Sequence, residues 1–118
     1  MGNAVNADPL AVVQAFAKAW DEHDLDAVLS LVTEDAAFES ARPGVNGSRV
    51  VGIDALRAAW SPSFAAASGT FEIEDTFVAG DRVVQMWRYL GGANVVRGVD
   101  VLRVRDGRVA EKFGYVKT

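Results

Sequence analysis

From Thr70 onward the chain alternates between β-rich runs and tight-turn residues, and this constrains its fold more than any other feature. Thr70–Ala79, Arg82–Leu90, Val95–Val104 and Arg108–Val116 are rich in Val, Phe, Trp and other strand formers. Gly80-Asp81, Gly91-Gly92-Ala93-Asn94 and Arg105-Asp106-Gly107 separate them. Asp-Gly between two such runs is a strong hairpin signal. The spacing predicts an antiparallel meander.

The first half reads helical. Asp8-Pro9 is a helix start, and Leu10, Val13, Phe16, Ala17 and Trp20 follow at helical spacing. The run breaks at Asp21-Glu22-His23-Asp24. Asp24 caps a second, short helix with Leu25, Val28, Leu29 and Val32 on its apolar face, and Thr33-Glu34-Asp35 ends it. Ala36–Ser40 reads as a short strand and 41–52 as a loop. A third helix is expected from Asp54 to Trp60, with a break near Ser61 because Pro62 disfavours α geometry before it. Helices first and strands afterwards predict an α+β fold, with helices packed on one face of the sheet.

With 118 residues, half of them apolar and 24% charged, the chain is expected to form a single domain over 1–118. It has no cysteine, which excludes disulfides, zinc–thiolate sites and thiol nucleophiles. Its one histidine removes the usual catalytic triad and multi-histidine metal sites. Chemistry is left to carboxylates, hydroxyls, Lys, Arg, Tyr and backbone groups, and no cofactor is expected.

Charge is uneven. Residues 1–80 hold 12 acids and 4 bases, and residues 81–118 hold 4 acids and 8 bases. A basic sheet beside acidic helices is self-complementary, so nucleic acid is not an expected partner. No stretch approaches a membrane span, the N-terminus lacks the pattern of a signal peptide, and Met1-Gly2 is followed by Asn6 where myristoylation needs Ser or Thr. A cytoplasmic protein is expected. Both alternations of Val95–Val104 carry valines, so one sheet face meets the helices and the other is expected to form a homodimer.

Three segments carry a family resemblance. They are Ala19-Trp20-Asp21-Glu22-His23-Asp24-Leu25-Asp26, Thr33-Glu34-Asp35-Ala36-Ala37-Phe38-Glu39-Ser40 and the run from Gly98 to Val109. The chain resembles the nuclear transport factor 2-like superfamily, in its SnoaL-like and ketosteroid isomerase-like branch. The resemblance implies a cone: a curved antiparallel sheet wrapped around the N-terminal helices (a cystatin-like α+β barrel) enclosing an apolar pocket. It also implies homodimers. Of the three polar groups used by the family's ketosteroid isomerases, the general base falls on Ser40 and the oxyanion-hole tyrosine on Phe16. The oxyanion-hole aspartate is kept as Asp100. Serine is no general base near neutral pH and phenylalanine has no donor.

Asp100 is the candidate catalytic residue, since it alternates with Val96, Leu102 and Val104 and should face an apolar interior. Two states stand open. Unpaired, it is a neutral acid that donates to a developing enolate. The known example of such an acid is ketosteroid isomerase itself. Paired with Lys112 and Arg88, it is a carboxylate. A three-residue turn sets Lys112 opposite Asp100, and a two-residue Asp106-Gly107 turn sets Phe113 there. Phe16, Trp20, Phe38, Ser40, Trp60, Met86, Arg88 and Lys112 are the candidate binding residues, with Trp87, Tyr115 and Asn46 near them. His23 reads as a solvated loop residue.

Three functions follow as expectations. One is a cofactor-free isomerase or cyclase with an incomplete catalytic set, acting on a steroid- or polyketide-type carbonyl compound. Another is a non-catalytic domain that binds a hydrophobic small molecule. The last is a dimerisation module.

Overall fold

Asp8 and Pro9 open the first helix, α1 (Pro9–Asp21), and the Asp8 carboxylate accepts from the Leu10 N–H. The computed structural model describes residues 8–41, 47–66, 69–92 and 94–117. α1 ends where His23 takes a φ of 58° and the Asp24 N–H returns to the Ala19 carbonyl. A left-handed residue just past a helix is the common way of satisfying its last carbonyls. Asp24 then caps α2 (Leu25–Ser30) by accepting from the Ala27 N–H.

Three local expectations need correction. The first strand, β1 (Val32–Glu39), begins at Val32, so Thr33-Glu34-Asp35 are strand residues and not a helix end. Val32 and Thr33 are buried, and the Thr33 hydroxyl donates to Asp35. The polar run is thus satisfied without turning the chain. β2 (Arg49–Val51) lies in the stretch read as loop and pairs antiparallel with β1. It is too short for an alternating pattern to register. α3 (Ile53–Ala66) runs through Pro62. Packing on both sides of the proline carries it, since Trp60 and Phe64 meet Trp20 at ring separations of 4.9 and 5.0 Å. The carbonyl that Pro62 leaves without a helical partner belongs to the exposed Ala58.

β3 (Thr70–Ala79), β4 (Arg82–Leu90), β5 (Val96–Arg105) and β6 (Arg108–Val116) form the expected meander. The six strands lie in the order β2-β1-β6-β5-β4-β3 in one open, curved sheet, the expected α+β class. β1 and β6 are parallel, and the other neighbours are antiparallel. The core lies between the helices and one face of this sheet. Val13 of α1, Val28 of α2 and Leu56 of α3 close over Val32, Val83, Leu102 and Val109, all of them fully enclosed.

Register decides which residues meet. Asp106 and Gly107 both have left-handed φ, 54° and 74°, which makes a two-residue hairpin turn. Continued unbroken, that turn would set Phe113 opposite Asp100. The ladder slips between Arg103 and Val104, and beyond the slip Asp100 faces Gly114 while Leu102 faces Lys112. Neither expected pairing forms. The bulge nevertheless returns Lys112 to the face that carries Asp100.

The charge asymmetry resolves mostly between strands, not between sheet and helices. Arg88 pairs with Glu72, Arg97 with Glu74, and Arg105 with Asp35. The Arg105 guanidinium, helped by the Thr33 hydroxyl, holds the Asp35 carboxyl below its usual range, and Arg97 does the same for Glu74. These pairs are exposed and contribute little stability, but they neutralise the arginines.

Candidate functional site

Phe16 and Trp20 on α1, Phe38 on β1 and Trp60 and Phe64 on α3 form an aromatic wall. Phe16 lies 5.9 Å from Phe38, and Phe38 lies 4.9 Å from Trp60 in an edge-to-face contact. The concave face of the sheet forms the floor. Residues directly opposite across strands share a face, which gives three successive rows. These are Trp87–Gly98–Val116, then Gln85–Asp100–Gly114, then Val83–Leu102–Lys112–Phe38. Gly114 leaves room beside Asp100 in the middle row, and the Trp87 indole lies over Gly98. Between wall and floor lies a cavity of about 630 Å³. That is the size range of small-molecule sites.

Asp100 and Lys112 meet inside it. Lys112 Nζ is 3.5 Å from Asp100 Oδ2, and the two side chains are 20% and 14% exposed. The same ammonium lies 5.0 Å from the Trp20 ring and 5.9 Å from the Phe38 ring, so it is held by an acceptor and two π-faces. Gly114 makes room for the carboxylate, since a Cβ there would stand 3.1 Å from Asp100 Oδ1. The geometry is that of the ion pair, one of the two states the sequence left open. A cation placed in an apolar cavity attracts an anionic or carbonyl oxygen more strongly than it would in water.

Phe16, Trp20, Phe38, Ser40, Trp60, Asp100 and Lys112 all line the cavity. Met86 and Arg88, expected beside them, do not. On β4 the inward alternation is Val83, Gln85, Trp87, and Met86 and Arg88 occupy the opposite face. Arg88 is paired with Glu72 there, so it takes no part in the Asp100 cluster. Both alternations of β4 carry large apolar residues, and polarity alone misassigned them. Ser40 stands at the rim, where its Oγ accepts from the Ser48 N–H and its own N–H donates to the Ser48 carbonyl. Trp87 lines the cavity, Tyr115 lies on the other sheet face, and Asn46 falls outside the described residues. His23 is exposed, as expected.

Gln85, Val50, Ser63, Phe64, Phe71 and Ile73 also line the cavity and were not singled out in the sequence. Phe64 follows Trp60 at helical spacing, a signal lost once the helix was ended at Ser61. Gln85 becomes visible only when β4 and β5 are paired in register. No helix among the described residues is long and apolar enough to cross a membrane.

Comparison with known proteins agrees with the geometry. The family model described as "SnoaL-like domain" matches residues 13–112. A crystal structure of an NTF2-like protein of unknown function from Mesorhizobium loti is 37% identical, covers 93% of this chain and 91% of its own, and has a TM-score of 0.83. A Mycobacterium tuberculosis protein in complex with estradiol-17β-hemisuccinate is 25% identical over 92% of this chain and 94% of its own, with a TM-score of 0.76. A computationally designed 17-OHP binder has the same identity, 25%, and the same coverage, 92% and 94%, with a TM-score of 0.78. No curated protein matches the chain significantly.

Proposed function

The chain belongs to the SnoaL-like domain family of the NTF2-like superfamily, and from that premise we propose that it binds a hydrophobic, oxygen-bearing small molecule of steroid or polyketide type. The observation that carries this reading is the Lys112–Asp100 pair at 3.5 Å, set in a cavity walled by aromatic rings. The rings supply a flat apolar bed, and Lys112 supplies one charged contact for a carbonyl or carboxylate oxygen. Two neighbours at 25% identity, the steroid hemisuccinate complex and the designed binder, support a polycyclic ligand.

Binding without efficient isomerisation fits the side chains best. Proton abstraction next to a carbonyl needs a base near the substrate carbon. The resemblance puts Ser40 at that position, its Oγ accepts from the Ser48 N–H, and Phe16 has no donor. Lys112 retains the means to stabilise an oxyanion, so the isomerase reading survives as the second one. Titrating estradiol-17β-hemisuccinate while following tryptophan fluorescence is expected to give saturable quenching, because Trp20, Trp60 and Trp87 all line the cavity. A 5-ene-3-ketosteroid is expected to bind and turn over at background rate. Absence of saturable binding by either compound would reject the ligand-binding reading, and rapid turnover would replace it with the isomerase.

The outer sheet face supports a homodimer. Phe77, Val84, Val101 and Phe113 form one row across it, and Met86, Val99 and Tyr115 form part of the next. Phe77, Met86 and Tyr115 are exposed, and the ion pairs of Arg88, Arg97 and Arg103 flank them. An apolar centre with a polar rim is the anatomy of a protein interface. Sedimentation is expected to show a dimer that Met86→Glu converts to monomer. A wild-type chain that sediments as a monomer at every concentration would rule the interface out. A cytoplasmic setting and the absence of a cofactor or nucleic-acid partner complete the proposal.

A further inference from the structure

Gln85 stands in the middle row of the cavity floor, directly opposite Asp100, and is only 6% exposed. Among the described residues no protein group hydrogen-bonds its amide, although it lines the cavity. Trp87, one row away on the same strand and face, is 7% exposed, and its indole Nε1 is fully enclosed without a hydrogen-bond partner. The Trp87 indole N–H is thus enclosed and unpaired, whereas the Gln85 amide, with no protein partner, is open to the cavity. The Gln85 amide is left to water or to a ligand there, and an apolar residue of similar shape would need neither. Core packing gives no reason for glutamine at this position, because Leu or Met would fill the same volume.

The arrangement has a direction. Trp87, Gln85 with Asp100, and Lys112 occupy successive rows, so polar groups cross the floor on a diagonal with both glycines to one side of it. Lys112 is already held by Asp100, whereas the Gln85 amide offers an unused donor and an unused acceptor.

We propose that Gln85 is a specificity-determining residue that reads a hydroxyl or carbonyl oxygen on the edge of the ligand and makes the cavity discriminate against the isosteric hydrocarbon. The inference rests on the ligand-binding reading above. A site whose buried polar groups await an oxygen rejects the analogue that lacks it, because those groups then stay unpaired.

The test uses 2-naphthol and 2-methylnaphthalene, which differ by hydroxyl against methyl in nearly the same shape. Each is titrated calorimetrically into the wild type, Gln85→Leu and Gln85→Met, and the ratio of the two affinities is the readout. In Gln85→Leu the preference for 2-naphthol is expected to fall at least about tenfold, through weaker naphthol binding and equal or tighter methylnaphthalene binding. Melting is expected to be no lower than wild type. Gln85→Met removes the amide at nearly the same side-chain length and is expected to shift the ratio the same way. It carries the test if Gln85→Leu does not fold. An unchanged ratio in both variants, with both probes bound by the wild type, overturns this inference alone. A wild type that binds neither probe overturns the ligand-binding reading and the inference with it.

Discussion

Gly98→Ala is expected to destabilise this protein strongly through a single methyl group. A Cβ at that position would stand 2.4 Å from the backbone carbonyl oxygen of Tyr115 and 2.6 Å from Cζ2 of Trp87. The carbonyl belongs to the neighbouring strand, since Gly98 faces Val116 on β6. The indole is buried and in edge-to-face contact with Phe71 at 5.2 Å. Neither contact lies at the end of a flexible side chain, so relief requires moving a strand or evicting a core ring. Overpacking of this kind costs about 3 kcal/mol, and here the backbone clash sets that as a lower bound. In a domain of this size the melting temperature should fall by about 10 °C or more. A variant melting within about 2 °C of wild type would mean that Trp87 does not lie over Gly98 and that the floor row is misdrawn.

Lys112→Met carries the second large effect. It leaves Asp100, 14% exposed, without the ammonium 3.5 Å away. Removing one member of a buried pair costs about 3–5 kcal/mol, and the residual exposure of both groups brings the expectation to about 2–3 kcal/mol at neutral pH. The double variant Asp100→Leu with Lys112→Met should recover most of that loss, because no unpaired charge remains. Urea unfolding of the wild type, both single variants and the double gives the coupling directly. Additive single effects would mean that the two side chains do not form a pair in solution.

Much of this was legible in the sequence, and the failures have physical causes. Gly80-Asp81 and Asp106-Gly107 marked the hairpins because Gly80, Asp106 and Gly107 adopt φ values that few other residues accept. Asp100 was legible as an inward residue, but whether Lys112 or Phe113 shared its face was not. The slip between Arg103 and Val104 inserts one residue into β6, and nothing in Val109-Ala110-Glu111 announces a bulge. On β4 the two alternations Val83-Gln85-Trp87 and Val84-Met86-Arg88 are similarly apolar, because one lines the core and cavity and the other the outer sheet face. Pattern alone therefore placed Met86 and Arg88 inward and overlooked Gln85. Pro62 was read as a helix breaker because the local rule ignores what Trp60 and Phe64 gain against Trp20.

These separate observations converge on one claim, that the cavity between the aromatic wall and the concave floor is where the protein takes its ligand. The most direct measurement is a ¹H–¹⁵N spectrum recorded during titration with estradiol-17β-hemisuccinate. The expected result is saturable shifts at the indole N–H groups of Trp20, Trp60 and Trp87 and at the Gly114 amide, with the amides of Phe77 and Val84 unmoved. Shifts confined to Phe77, Val84 and Met86 on the outer face, with the three indoles unchanged, would contradict it.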